Sequence, residues 1–115
     1  MYNLDKVIYD KLTSLGYNDV VNGYPTHFED KQFPIIGFTL DILYDEVENI
    51  NGRPMMYRNN YTIDVFGDYN VDLNEISSAL EEEGLRLDGY RQLPTEQDNI
   101  IHYVLHFTAL VQENK

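Results

Sequence analysis

Three histidines are the first residues to test for chemistry. His102 and His106 are four apart, a spacing that on a helix would offer two metal ligands on one face. Their surroundings, Ile101-His102-Tyr103-Val104-Leu105-His106-Phe107, are β-branched and aromatic and predict a strand. On a strand the two imidazoles share a face but stand ~13 Å apart, too far to hold one ion. His27 lies in an expected loop beside Glu29 and Asp30, a weaker ligand set, and no stretch has the acid spacing of a calcium loop. Ser77 and Ser78 fall within an expected helix, without the turn that exposes a serine nucleophile. The seven glycines are scattered singly, so no phosphate-cradling loop is present, and the absence of cysteine removes thiolate sites, disulfides and cysteine nucleophiles. Carboxylates are abundant, but acid–base catalysis needs one buried with a shifted pKa, and no pair is marked out by pattern. The expectation is a protein that is not an enzyme, with no metal and no cofactor.

Charge is the strongest global signal: 20 Asp and Glu against 8 Lys and Arg give −12 over 115 residues. Such a surface repels a phosphate backbone, which argues against ordinary nucleic-acid binding by a basic patch. The acids are clustered. Between Gln32 and Gly52 there is no Lys or Arg, while Asp41, Asp45, Glu46 and Glu48 occur; from Asn59 to Leu85 the same holds, with Asp64, Asp68, Asp72, Glu75, Glu81, Glu82 and Glu83. Each cluster alone reads as a solvated face; two long base-free stretches point to a surface that is acidic by requirement. No apolar run approaches the ~18 residues of a membrane span, and Met1-Tyr2-Asn3-Leu4-Asp5-Lys6 lacks the layout of a signal peptide. A soluble protein made in a cytoplasm is expected.

The elements follow from periodicity. Leu4, Val7, Ile8, Leu12 and Leu15 recur at helical spacing, so residues 4–15 read as an amphipathic helix capped by Asn3 and ended by Gly16. Tyr17 to Phe33 is polar and broken by Asn22-Gly23 and Pro25, with a short extended piece around Tyr24–Phe28. Ile36, Phe38, Leu40, Ile42 and Tyr44 alternate on one face of a strand; a second strand runs from about Met55 to Phe66, with Tyr61, Ile63 and Val65 together. Asp45 to Pro54 reads as a long acidic loop whose Asn51-Gly52 turns the chain into an antiparallel hairpin. Asp72-Leu73-Asn74-Glu75 has the form of a capping box, Leu73, Ile76, Ala79 and Leu80 form an apolar stripe, and Gly84 closes the helix. Glu81, Glu82 and Glu83 fall in its last turn, where the helix dipole disfavours anions. Leu85 to Leu93 is a third strand, residues 94–98 a turn, and Ile100 to Val111 the last strand, with Ile101, Tyr103, Leu105, Phe107, Ala109 and Val111 on its apolar side. The order is α-β-β-α-β-β: one α+β domain over residues 1–115, a mostly antiparallel sheet with helices packed on one face.

Ten tyrosines and no Trp are left over. Tyrosine suits strands, but it also suits protein–protein contacts, where an apolar ring and a hydrogen-bonding tip are both used. The interface reading is preferred, and Tyr57 is among its candidate residues.

Several phrases resemble the tail terminator (tail completion) proteins of long-tailed bacteriophages and phage-tail-like particles. They are the amphipathic first helix, the Phe33-Pro34-Ile35-Ile36 strand start and Arg58-Asn59-Asn60-Tyr61-Thr62-Ile63-Asp64-Val65-Phe66. The helix start at Asn70 and Asn74 and the closing strand Asn99 to Phe107 complete the likeness. The likeness spans nearly the whole chain but is one of layout and hydrophobic phrasing, with no diagnostic short motif. It implies a structural role: a ring, usually of six subunits, that caps the tail tube, ends its polymerisation and offers a surface for head–tail joining. The implied partners are further copies of the chain, the tail tube protein, a sheath where one exists and the head connector or stopper. DNA would pass through the lumen without specific binding. The implied location is the bacterial host cytoplasm during assembly, then the virion tail or tail-like particle.

Charge and loop length then nominate interface residues. Asp45, Glu46, Glu48, Glu81, Glu82 and Glu83 are expected to face the lumen or a partner ring. Arg53, Arg58 and Arg86, which bracket the acidic stretches, are expected to form inter-subunit ion pairs. Six copies of a −12 chain carry −72, which would let DNA slide past. A competing reading, a small acidic inhibitor that imitates DNA and binds a host DNA-binding protein, explains the same charge. A small-ligand regulatory domain is a third, without any pocket signature behind it.

Overall fold

Alternation of large apolar residues decides which side of each strand is buried, and the sheet pairings assemble those sides into one surface. The structure is a computed structural model that describes residues 4–26, 28–29, 31–50, 53–97 and 99–112, and of 42–50, 53–57 and 111–112 only the backbone course. Its elements are α1 (Asp5–Ser14), β1 (Asp19–Asn22), β2 (Ile35–Ile50), β3 (Arg53–Gly67), α2 (Leu73–Glu82), β4 (Leu85–Pro94) and β5 (Ile101–Gln112). They form a five-stranded sheet in the order β1-β2-β3-β5-β4, antiparallel except for the β1–β2 pair. The domain is α+β as the periodicities predict, with one strand more than expected.

Ile36 and Phe38 of β2 lie opposite Val65 and Ile63 of β3, and Tyr61, Ile63 and Val65 lie opposite Phe107, Leu105 and Tyr103 of β5. These rows form one buried surface, and both helices pack on it: Leu4, Ile8 and Leu12 from α1 and its start, Ile76 and Leu80 from α2. Complete burial of side chains this size stabilises by about 1.5–3 kcal/mol each, which is what fixes the strand register.

The helix ends follow local rules. Asp72 accepts a hydrogen bond from the Glu75 N–H at 3.0 Å, and Gly16 and Gly84 both take positive φ where the helices stop. Asn3, the expected cap of α1, lies outside the described residues. Leu4 stands at that end, and its N–H donates 2.9 Å to the hydroxyl of Tyr61, a fully buried side chain of β3. A helix donor is thereby satisfied from the middle of the sheet, which no local pattern announces.

Two expectations are corrected. The extended piece is not at Tyr24–Phe28 but at Asp19–Asn22, where β1 adds in parallel to residues 35–38 of β2. Four residues are too few to show alternation; the strand exists because β2 offers it an edge. Second, Asp45 to Pro54 is not a long loop. β2 and β3 stay paired to the couple Ile50–Arg53, leaving residues 51–52, outside the described set, as the connection. Pairing with β3, and of β3 with β5 as far as Met56–Gln112, overrides the weak strand propensity of the acidic run. Register slips at Leu40/Ile42, Ile42/Asp45, Glu46/Glu48 and Glu48/Asn49 absorb its irregularity. The result is an arm. At ~3.3 Å per residue, a 16-residue strand spans ~50 Å, in keeping with a molecule 55 Å long and 24 Å wide.

The side of the sheet away from the helices is partly covered by the chain between β1 and β2. Tyr24 sits edge-on to Phe66 and His102 with centroids 5.8 Å away, and Phe28 packs on Phe66 at 4.8 Å. Gly37 makes the crossing possible: a Cβ there would lie 2.2 Å from the Gly23 carbonyl oxygen and 2.5 Å from Pro25 Cδ.

Candidate functional site

An acidic strand needs a partner that tolerates it, and the register shows what lies beside it. On the arm, Asp45 is opposite Arg58, Glu46 opposite Tyr57 and Glu48 opposite Met56, while Arg53 is opposite Ile50 at the tip. The structure thus brings Asp45 and Arg58, nominated for different partners, into one cross-strand pair of the same chain. Arg58 is exposed; the side chains of Asp45, Glu46, Glu48, Arg53 and Tyr57 lie outside the described residues.

The three glutamates at the end of α2 are not left to oppose the helix dipole alone. Lys11 of α1 reaches across, its Nζ 2.8 Å from Glu82 Oε2 and 3.7 Å from Glu83 Oε1. The hydrogen bond to Glu82 raises the Lys11 pKa despite some desolvation, and the same bond lowers that of Glu82. Glu81 is exposed. A cation from another helix supplies what a last-turn Lys or Arg would otherwise provide. Nearby, Tyr17 donates to Glu75 Oε1 at 3.0 Å; burial first, then this bond and the carboxylate charge, pushes its pKa up to about 12. The helix layer is tied together by contacts 58 and 71 residues apart in sequence.

Arg86 lies on β4, an outer strand of the sheet, with its Nε 3.1 Å from Asp88 Oδ1 and its side chain 75% exposed. Arg91 is exposed on the same strand, and both occupy positions on the open side of the sheet, opposite Thr108 and Val104. Between Leu87 and Gly89 a bulge shifts the register by one.

The open side also holds a polar network that sequence reasoning missed. His102 Nε2 is 2.7 Å from Asp64 Oδ1, with the two side chains 13% and 9% exposed, and its ring stacks on Phe66 at 4.2 Å. His106 Nδ1 lies 3.4 Å from the Thr62 hydroxyl, which donates to Asp41; Thr108 donates to Asp88 and lies 3.0 Å from Asn60 Oδ1. The histidines share a strand face, as expected, but answer to different partners on β3. His102 is flanked by the rings of Phe66 and Tyr24, and its imidazole–carboxylate pair with Asp64 ties β5 to β3. Among the described residues, no group of three or more His, Cys, Asp and Glu side chains could hold a metal ion; His27 and Asp30 lie outside them. The signal available in the sequence was polar residues alternating with core residues on both strands: Thr62 and Asp64 on one, His102 and His106 on the other.

At the far end of β4 a shallow cleft of about 310 Å3 is bordered by Tyr69, Gln92, Pro94, Thr95 and Ile101. Tyr69, on its border, and Tyr90, on β4, stand largely exposed, at 75% and 64%. Among the described residues Tyr9 and Tyr24 are exposed as well, whereas Tyr61 is spent inside the core.

No protein-family model and no curated protein matches the chain. Among the described residues, no helix is long and apolar enough to cross a membrane.

Proposed function

We propose that this chain is a structural assembly protein of the tail-terminator kind: copies close into a ring, six in the family it resembles, that caps a tail tube, stops its growth and presents a face for head–tail joining. The observation that carries the reading is the build of the sheet. A small domain ends on β4 at one side and on the long acidic arm of β2 at the other, so its two edges differ and copies add head to tail. The charge of −12 keeps free copies apart at low salt and would make a ring lumen repel DNA backbone. In this reading Asp45, Glu46, Glu48 and Glu81 to Glu83 line the lumen or meet the adjoining ring, and Arg53, Arg58 and Arg86 serve contacts between subunits. The tube protein and the head connector are the partners, and the host cytoplasm is where assembly occurs.

Electron microscopy of tails assembled with and without the chain tests this. Tails lacking it should overrun their length and fail to join heads, and a ring should appear at the tube end when it is restored. Tails of normal length that join heads without it would refute the reading. A chain that instead stays monomeric with tubes present, and binds a DNA-binding protein in competition with DNA, would establish the acidic-inhibitor alternative.

A further inference from the structure

The two outer edges of the sheet have matching lengths and opposite charges. β1 covers β2 only as far as Phe38, so among the described residues nothing pairs with the outer edge of β2 over 39–50. β4, over Leu85–Pro94, is bare on the other side. β4 carries Arg86 and Arg91 against Asp88, a net +1, while residues 39–50 carry Asp41, Asp45, Glu46 and Glu48 and no base, a net −4. Two β4 edges meeting each other would oppose arginines, and two β2 edges would oppose carboxylates. Only the unlike pair matches.

We propose that β4 of one copy docks along residues 39–50 of β2 in the next, antiparallel, continuing the sheet from subunit to subunit; this rests on the ring reading and specifies its contact. Strand directions alternate β2, β3, β5, β4, so a neighbour kept in the same sense presents β2 antiparallel to β4. The register defines the offset. The middle of β4 lies level with Ile63 of β3, through Leu105, while the middle of the bare β2 stretch lies level with Arg58. That is a stagger of about five residues, roughly 17 Å, across four strand spacings of about 19 Å in all, so the strands tilt by about 40°. Sheets close on themselves at a tilt of about 35–45°, which favours a ring over an open filament.

With this offset β4 abuts the end of β1 without overlapping it, Pro94 near Thr39 and Leu85 near Ile50. Arg91 then falls near Asp41 and Arg86 near Glu48, which assigns Glu48 to the subunit contact and leaves the lumen to the remaining carboxylates. The slips in β2 shorten its 39–50 stretch to about the reach of the ten-residue β4. They also break the edge into short runs, which keeps it from pairing with itself or with strangers.

The chain contains no cysteine, so a thiol introduced at each edge reports the contact directly. Asp41→Cys and Arg91→Cys chains, each exposed at that position and both on the open side of the sheet, are mixed at high concentration and moderate salt and oxidised. The mixed disulfide dimer should exceed either like dimer, and the double variant should give a ladder of covalent oligomers ending at the ring number. Reversing both charges in Arg86→Glu/Arg91→Glu should weaken association by roughly tenfold or more, and Asp41→Lys/Glu48→Lys in the partner should restore it. Like dimers in excess, or no mixed dimer, overturns the edge pairing. Rings that form on tubes without the mixed link would discard this contact and leave the ring reading standing. The mixed link in a protein that fails to cap tubes would do the reverse.

Discussion

Gly37→Ala tests how the open side of the sheet is covered. An added methyl at residue 37 would stand 2.2 Å from the Gly23 carbonyl oxygen, 2.5 Å from Pro25 Cδ and 2.9 Å from Pro25 Cγ. The first obstacle is backbone, already tied down because the Gly23 N–H donates to the Phe38 carbonyl at 2.8 Å. A flexible side chain could swing away; a carbonyl in a ladder cannot move alone. The chain over residues 23–25 must lift, loosening Tyr24 from Phe66 and His102. Overpacking of this kind costs about 1–3 kcal/mol, and partial exposure of Phe66 adds to it. Alanine recovers roughly 0.5–1 kcal/mol by restricting the unfolded chain. The net expectation is a loss of about 2 kcal/mol, or a fall in Tm of roughly 6–12 °C for a domain of this size. Gly89→Ala is the internal control, because nothing lies within 4 Å of its added methyl and its φ is not in the left-handed region; it should change stability by less than about 0.5 kcal/mol. Urea unfolding of both variants, with near-ultraviolet circular dichroism to follow the tyrosines, decides it. Equal stabilities for the two alanine variants, with an unchanged tyrosine signal, would refute the account of the crossing.

Tyr61→Phe removes the acceptor of the Leu4 N–H and should cost about 1–2 kcal/mol in urea unfolding, with the start of α1 gaining hydrogen exchange first. Asp72→Ala, which deletes the side-chain cap on the Glu75 N–H, should cost about 1 kcal/mol, and Asp72→Asn should recover most of it. The Lys11 pKa is raised and that of Glu82 lowered, so their pairing is fully present between the ordinary Glu and Lys pKa values. It is lost as pH falls through the folded Glu82 value or rises through the folded Lys11 value. Stability against pH for wild type and Lys11→Met should therefore differ in the neutral range, converge at both extremes, and differ less in high salt. Tyr17 is held neutral up to about 12, so it contributes stability that is complete below its ordinary value of 10.0 and disappears as pH rises through about 12. A difference titration against Tyr17→Phe should show one phenol ionising at about 12, and the variant should lose less stability across that range.

The sequence by itself determined everything governed by neighbours along the chain. Two helices stop at Gly16 and Gly84 because left-handed backbone suits glycine, Asp72 caps because Glu75 is three residues on, and Ile101 to Ala109 send alternate side chains into the core under the helices because strands alternate. Asp45, Glu46, Glu48 and Glu81 to Glu83 were visible as acidic clusters, with Arg53, Arg58 and Arg86 at their borders. Only the tertiary structure decided what those charges meet, since Lys11 is 71 residues from Glu82 and Asp64 is 38 from His102. It also decided that β5 enters between β3 and β4, that Asp19–Asn22 is a strand, and that an expected acidic loop is an arm. Each of these depends on an edge or a charge supplied from a distant part of the chain, and local propensity carries no information about such a supplier. Hydrophobic periodicity selects the face of an element; which element lies against that face is fixed by the summed packing of the whole domain.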